Sequence, residues 1–284
     1  MRNGFRFFVM TVVYLAFVSS QLIQKSEAED LKLSRTNAAA QLDAAIQAVD
    51  SLRDSEKEIA VCRAAAGKVL KAMPANVFVE EIFRRVEQTK TTDLRKLSKE
   101  WRAALMEARD ILRFEIEEES PIPEGFPEPA PVGEIRLQQY PTYRLARTDM
   151  TLLEGTAFLT LFNHIKERDI AMTAPVELTY AADGNATKKT AMSFMYRTTQ
   201  QGRVGTAGKV QVMDSPAHMA ISIGIRGSAN KERVADARRR LEAWLQAHRD
   251  AYEVTGPLRV LGYNSPFIAE KKQFSEVQIP VRAK

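Results

Sequence analysis

Three histidines, one cysteine and ten methionines are the side chains of this 284-residue chain best suited to binding a metal or a flat conjugated ligand. No Ser-His-Asp, Cys-His, paired-carboxylate or H-E-x-x-H arrangement accompanies them, so catalysis has no named player. His164 falls on the flank of an apolar helical stripe formed by Phe158, Leu161, Phe162 and Ile165, a boundary position from which an imidazole can reach a ligand. A solvated or locally bonded histidine is the alternative. His218 follows Pro216 in a strand pattern with no second ligand at metal spacing, and reads as structural or surface. His248 ends a stripe of Val234, Leu241, Trp244 and Leu245, where it can cap the last carbonyls. Six methionines, Met150, Met172, Met192, Met195, Met213 and Met219, lie in the second half, where packing explains most and a weak thioether ligand is the other use.

These residues require positioning, and the chain changes character to supply it. Residues 29–119 are alanine-rich with four helical stripes, including Leu42-Ile46-Val49-Leu52, Ile59-Cys62-Ala66-Val69-Met73 and Leu94-Leu97-Trp101-Leu105, which predict a helical bundle. Ser55 with Glu58 has capping-box spacing, and Thr92 or Asp93 can cap the last helix. Five prolines between residues 120 and 133 predict a stiff extended linker. Residues 134–284 then repeat strand, helix, strand, strand twice. The helices are expected near 154–167 and 231–249, with Asp183-Gly184-Asn185 turning the first hairpin. Two such halves predict a pseudo-twofold α+β domain whose sheet wraps around its helices as a distorted β-barrel.

Within that domain, Ile170-Ala171-Met172-Thr173-Ala174-Pro175-Val176 alternates like a half-buried strand, yet holds a proline that belongs at an edge or bulge. Near the end, Leu261-Gly262-Tyr263-Asn264-Ser265-Pro266-Phe267 precedes a closing strand from Phe274 to Val281. With the aromatic helix before them, these blocks resemble the SOUL haem-binding protein family over roughly residues 134–281. The family pattern is an aromatic-rich helix, a K-I-x-M-T-x-P-V strand, a hairpin strand, a second helix, a Y-x-x-P turn and an N-E-V strand. This chain departs from it at four places. Only Lys166-Glu167-Arg168-Asp169 separate the helix from the strand, Tyr196-Arg197 replaces a common Leu-Pro, Phe274-Ser275-Glu276 replaces Arg-Asn-Glu, and His164 occupies a position where tyrosine is common.

The resemblance implies a non-covalently bound haem or other porphyrin near the first helix, held by a non-enzymatic carrier or buffer. Haem needs an apolar slot, cations for its propionates and usually an axial ligand. His164 is the expected axial ligand, Phe158, Leu161, Phe162 and Met172 the apolar walls, and Lys166, Arg168 and Arg144 the cations. Burying roughly 300 Å² of porphyrin face at about 25 cal/mol/Å² contributes about 7 kcal/mol before association costs of at least about 4 kcal/mol, so ligating groups decide affinity. The alternative function is a cell-envelope interaction module that binds another apolar small molecule or a protein.

Residues 1–28 read as an export signal, with Arg2 and Arg6 before an apolar run; an uncleaved membrane tether through residues 7–23 is the alternative. The expected location is therefore periplasmic or secreted. A net charge of +5, with both signs interspersed, predicts no nucleic-acid partner. Cys62, the sole cysteine, excludes an intrachain disulfide and sits on an apolar stripe. Self-association is expected through the helical bundle.

Overall fold

A computed structural model describes residues 29–150, 153–181 and 188–284. The expected leader, its tether alternative and the Asp183-Gly184-Asn185 turn lie outside the described residues. The fold divides into two compact units: one runs to Pro74 and includes Glu80–Arg113, and the other comprises Ala75–Val79 with Phe114–Lys284. No described helix is long and apolar enough to cross a membrane.

Helices α1 (29–51), α2 (Ser55–Ala72), α3 (Val77–Glu87) and α4 (Leu94–Leu112) follow the predicted stripes. Leu42, Ile46, Ile59, Cys62, Val69, Trp101 and Leu105 are buried at three- and four-residue spacing. Residues 52–54 separate α1 from α2, and the cap of α2 is Asp54 rather than Ser55, because its carboxylate accepts from the N–H groups of Glu56 and Lys57 at 3.0 and 3.3 Å. Asp93 caps α4 in the same way. Burial pushes the Cys62 thiol up to about 11, which keeps it protonated.

The second unit carries strands β1 (Ile135–Tyr140), β2 (Tyr143–Asp149), β3 (Val176–Tyr180), β4 (Lys189–Met195), β5 (Gly205–Ala207), β6 (Val210–Ser215), β7 (His218–Arg226), β8 (Tyr252–Val254), β9 (Arg259–Gly262) and β10 (Phe274–Ala283). Helix α5 (Glu154–Lys166) follows β2, and α6 (Lys231–Ala247) follows β7. The strands form one antiparallel sheet in the order β1-β7-β10-β9-β3-β4-β2-β6-β5, with β8 beside β10. Its pairing runs from β1 to the three-residue β5 without closing into a ring among the described residues. The α+β class holds, and among the described residues the sheet is open rather than closed by hydrogen bonds into a ring.

Period-two alternation divides the sheet into an apolar and a polar face. On the apolar face, Val234, Ala237 and Leu241 of α6 pack with Ile221, Ile223, Val277 and Ile279. Ala157, Leu161 and Ile165 of α5 pack with Ala146, Met192, Phe194 and Val212. The other face presents Gln138, Glu177, Ser193, Ser222, Arg259, Glu276 and Gln278, all buried. Covering that face is the proline-rich segment. Rather than running clear of the sheet as a spacer, it donates Ala130 N–H to Glu276 Oε1 at 2.8 Å and accepts Gln138 Nε2–H at Glu128 O at 2.6 Å. Phe126 meets Tyr140 and Tyr143 edge-on, at ring centroid distances of 5.2 and 4.9 Å.

Residues 170–175 do not form the expected strand, since β3 begins only at Val176. Their backbone and side chains are used elsewhere: Ala174 N–H donates to Pro121 O at 3.0 Å, and Thr173 Oγ1 donates to Met195 O at 2.6 Å. The Ala174–Pro175 bond is cis.

Candidate functional site

The site grows from α5. Leu153 precedes the helix and provides no side-chain cap. At the other end Asp169 adopts φ 53°, with Ile170 N–H donating to Ile165 O at 2.9 Å and Asp169 N–H to Lys166 O at 3.3 Å. This crossed pair is a Schellman closure, and aspartate tolerates the left-handed conformation it requires. The four-residue connection therefore ends the helix tightly and returns Ile170 to the core, where it is 8% exposed.

At 100° per residue, α5 presents two different flanks. Phe158 and Phe162 stack on one, with centroids 6.1 Å apart, and Phe158 also meets Phe194 edge-on. Thr160, Asn163 and Glu167 occupy the opposite flank and, with His164, Arg168 and the Ala207–Val210 hairpin, line a cavity of about 480 Å³. That volume suits a small molecule. His164 is 5% exposed. Its Nε2 lies 2.9 Å from the Tyr196 hydroxyl. Burial, and then the Arg168 charge, hold this imidazole below the ordinary value of 6.5, while burial raises the Tyr196 hydroxyl.

Cations reach the cavity from two directions. Arg168 Nη1 donates to His164 O at 3.1 Å and lies 3.4 Å from Glu167 Oε2. Lys209 enters from the β5–β6 turn, whose Gly208 has φ 59° as a two-residue hairpin loop requires. The cavity thus combines one neutral-leaning imidazole, two cations, one carboxylate and short apolar surfaces from Ala207 and Val210. Among the described residues, no group of three or more His, Cys, Asp or Glu is placed to hold a bare metal ion.

The expected site residues do not all meet there. His164 and Arg168 line the cavity; Phe158, Leu161, Phe162, Lys166, Met172 and Arg144 do not. Leu161 is fully buried as a core residue, and Met172 packs against the same cluster. Phe162 is 40% exposed on the aromatic flank. Lys166 is exposed at the end of α5. Arg144 is committed elsewhere, bidentate to Asp214 at 2.8 and 3.0 Å and donating to Gln201 O and Gly202 O. That clamp holds the Asp214 carboxyl below its usual range and leaves Arg144 no free edge for a propionate. His248 does cap α6, its Nδ1–H donating to Trp244 O at 2.8 Å.

The polar face under the proline-rich segment holds a network that sequence reasoning missed. Arg259 donates to Tyr143 Oη at 3.1 Å, Glu177 Oε2 at 3.3 Å, Gln278 Oε1 at 2.9 Å and His218 Nε2 at 2.8 Å. His218 Nδ1–H donates to Pro216 O at 2.9 Å, so its two partners select the neutral tautomer. Desolvation, followed by the Arg259 charge, lowers its pKa in accord with that tautomer. His218 is thus an acceptor for a buried arginine, a structural role in line with its sequence reading.

A ten-stranded antiparallel sheet with two helices on its apolar face and a cavity beside the first defines the class as an α+β domain. Residues 131–280 match the family model described as SOUL heme-binding protein, and the chain belongs to that family. No curated protein matches it. Solved structures with some likeness include the EcmrR C-terminal domain, at 16% identity and TM-score 0.41, covering 52% of this chain and 97% of that one. A hydrolase from Listeria innocua has 11% identity and TM-score 0.41, covering 54% and 94%. SAV2435 bound to tetraphenylphosphonium has 15% identity and TM-score 0.32, covering 52% and 94%.

Proposed function

We propose that this protein is an exported, non-enzymatic carrier or buffer of haem or a related tetrapyrrole, and that the tetrapyrrole's polar edge docks in the cavity beside α5. One observation carries the reading: in a member of this family, His164 lines a cavity of about 480 Å³ together with Arg168 and Lys209. The donor set fits the group's polar demands. Arg168 and Lys209 would pair with propionates, and His164 would supply the axial nitrogen once its contact with Tyr196 yields. Haem would contribute its own iron and conjugated ring; this chain's part is to bind, orient and shield. Phe158, Phe162 and Leu159 offer apolar surface on the other flank of α5 and form the competing seat for the ring. Export is part of the proposal and rests on the leader pattern.

Hemin titration of the purified chain tests it. A saturable Soret shift is expected, lost in His164→Ala and weakened without a change of band position in Lys209→Ala. No saturable binding overturns the haem reading. Binding unchanged in His164→Ala but abolished in Phe162→Ala overturns the cavity and places the ring on the aromatic flank.

A further inference from the structure

Glu276 is fully buried on the polar face of the sheet. One of its oxygens accepts Ala130 N–H at 2.8 Å, and the other accepts the Tyr263 hydroxyl at 2.6 Å. Directly opposite it in register stands Gly224 of β7. There the proline-rich segment comes down on bare backbone: a Cβ at position 224 would lie 2.2 Å from Ala130 O and 2.6 Å from Pro131 O. Gly133 N–H donates to Gly224 O at 2.9 Å, and Val132 bridges Gly224 in parallel. Further back, Pro123 O accepts Phe126 N–H at 3.2 Å around Gly125 at φ 77°, the conformation that position i+2 of a type II turn requires. Glu124 N–H donates to Arg197 O at 2.9 Å. Residues 121–133 are therefore seated at both ends and over the carboxylate.

From this geometry we infer that residues 121–133 form a strap whose closure over the polar face is controlled by the protonation of Glu276. Covering the carboxyl removes it from water, and that desolvation raises it to about 7 against the opposing pull of Tyr263 and Ala130. The charged and titratable groups facing it are Tyr263 and Arg259 of β9 and its following turn, and Arg136 and Tyr140 of β1. Arg136 is already engaged by Glu134 at 2.8 Å, and Arg259 by Glu177 at 3.3 Å, so neither cation is dedicated to Glu276. Protonated Glu276 can still accept from Ala130 while donating to Tyr263 with the phenol hydrogen turned away. Closing the strap thus takes up a proton, and opening it releases one.

The sign follows from linkage. With the closed-state value near 7 and an ordinary carboxyl value of 4.5 when open, the opening equilibrium rises with pH across that interval and levels off above it. The limiting slope is about tenfold per pH unit. Hydrogen exchange of the intact chain, corrected for intrinsic rates, reads this at the Ala130 amide from pH 5 to 8. Wild type should show the added slope, and Glu276→Gln, which keeps an acceptor for Ala130, should lose it while the strap remains protected. Gly224→Ala should free residues 121–133 at every pH while Ile221 and Val277 stay protected. A flat wild-type profile, or an equal slope in Glu276→Gln, overturns the proposal even if the alanine variant fails to fold.

Discussion

The two helices on the apolar face of the sheet occupy equivalent places in a repeated strand–helix–strand–strand pattern, yet they are finished differently. Helix α6 is capped at both ends, by Asn230 accepting Arg233 N–H at 2.9 Å and by His248, and is laced by Arg238–Glu242 and Arg240–Asp236 pairs at i,i+4 spacing. Helix α5 has no side-chain N-cap, exposes Leu153, Leu159 and Phe162, and buries a histidine against a tyrosine. Helix α6 has both ends satisfied and its exposed side laced by ion pairs. The other gives up a cap and leaves Leu159 and Phe162 in water on the flank opposite its cavity and ionisable groups, and departures from local rules of this kind point to function.

Core truncation is the largest effect that can break this contrast. Leu161→Ala on α5 and Leu241→Ala on α6 both remove fully buried side chains and should each cost about 2–5 kcal/mol in denaturant unfolding. If Leu161→Ala were nearly neutral, α5 would be a loosely held element rather than half of the core. Capping should give a smaller and opposite pair of results. Asn230→Ala should cost about 1 kcal/mol, whereas Leu153→Asp should gain up to about 1 kcal/mol by supplying the cap that α5 lacks. Equal responses at the two ends would remove the distinction.

The smallest expected effect is a pH slope. His164 has its folded pKa lowered from 6.5, so the unfolded chain takes up more protons as pH falls through that value. Native stability carried by neutral His164 is therefore fully present above that value and declines below it. His164→Gln, which can still bond Tyr196, should flatten this part of the wild-type profile measured by denaturant midpoint between pH 5 and 8. Superimposable profiles would show that burial of this imidazole has no consequence for stability.

Much of this was legible in the sequence. The stripes of α1, α2, α4, α5 and α6 came from three- and four-residue spacing, which depends only on helix geometry, and the His248 cap from its place at the end of one. Residues 170–175 misled because alternation imitates a strand, whereas their hydrogen bonds go to Pro121 and Met195, far along the chain. For the same reason the partnership of Tyr196 with His164, and the places of Lys209 and Arg259, are not legible in the sequence: they arise through sheet pairing, which periodicity does not encode. His164 on α5 and Arg168 just past its C-cap both line the cavity, and their closeness in sequence to the aromatic stripe is what brings them into view. Phe158 and Phe162 lie on the other flank of α5, a separation that the family resemblance, which implies a ligand near this helix as a whole, does not make.

A proline count between Ser120 and Gly133 invites an experimenter to truncate the protein there and express only the C-terminal portion. The contacts of Ala130 with Glu276, and of Gly133 with Gly224, make that cut costly: it would strip a hydrophobic and hydrogen-bonding cover from Phe274, Glu276 and Gly224 at once. Any shortened version meant to keep the sheet intact should begin upstream of Ala75, because residues 75–79 belong to the same unit and Ala75 O accepts the Ile135 N–H of β1 at 3.1 Å.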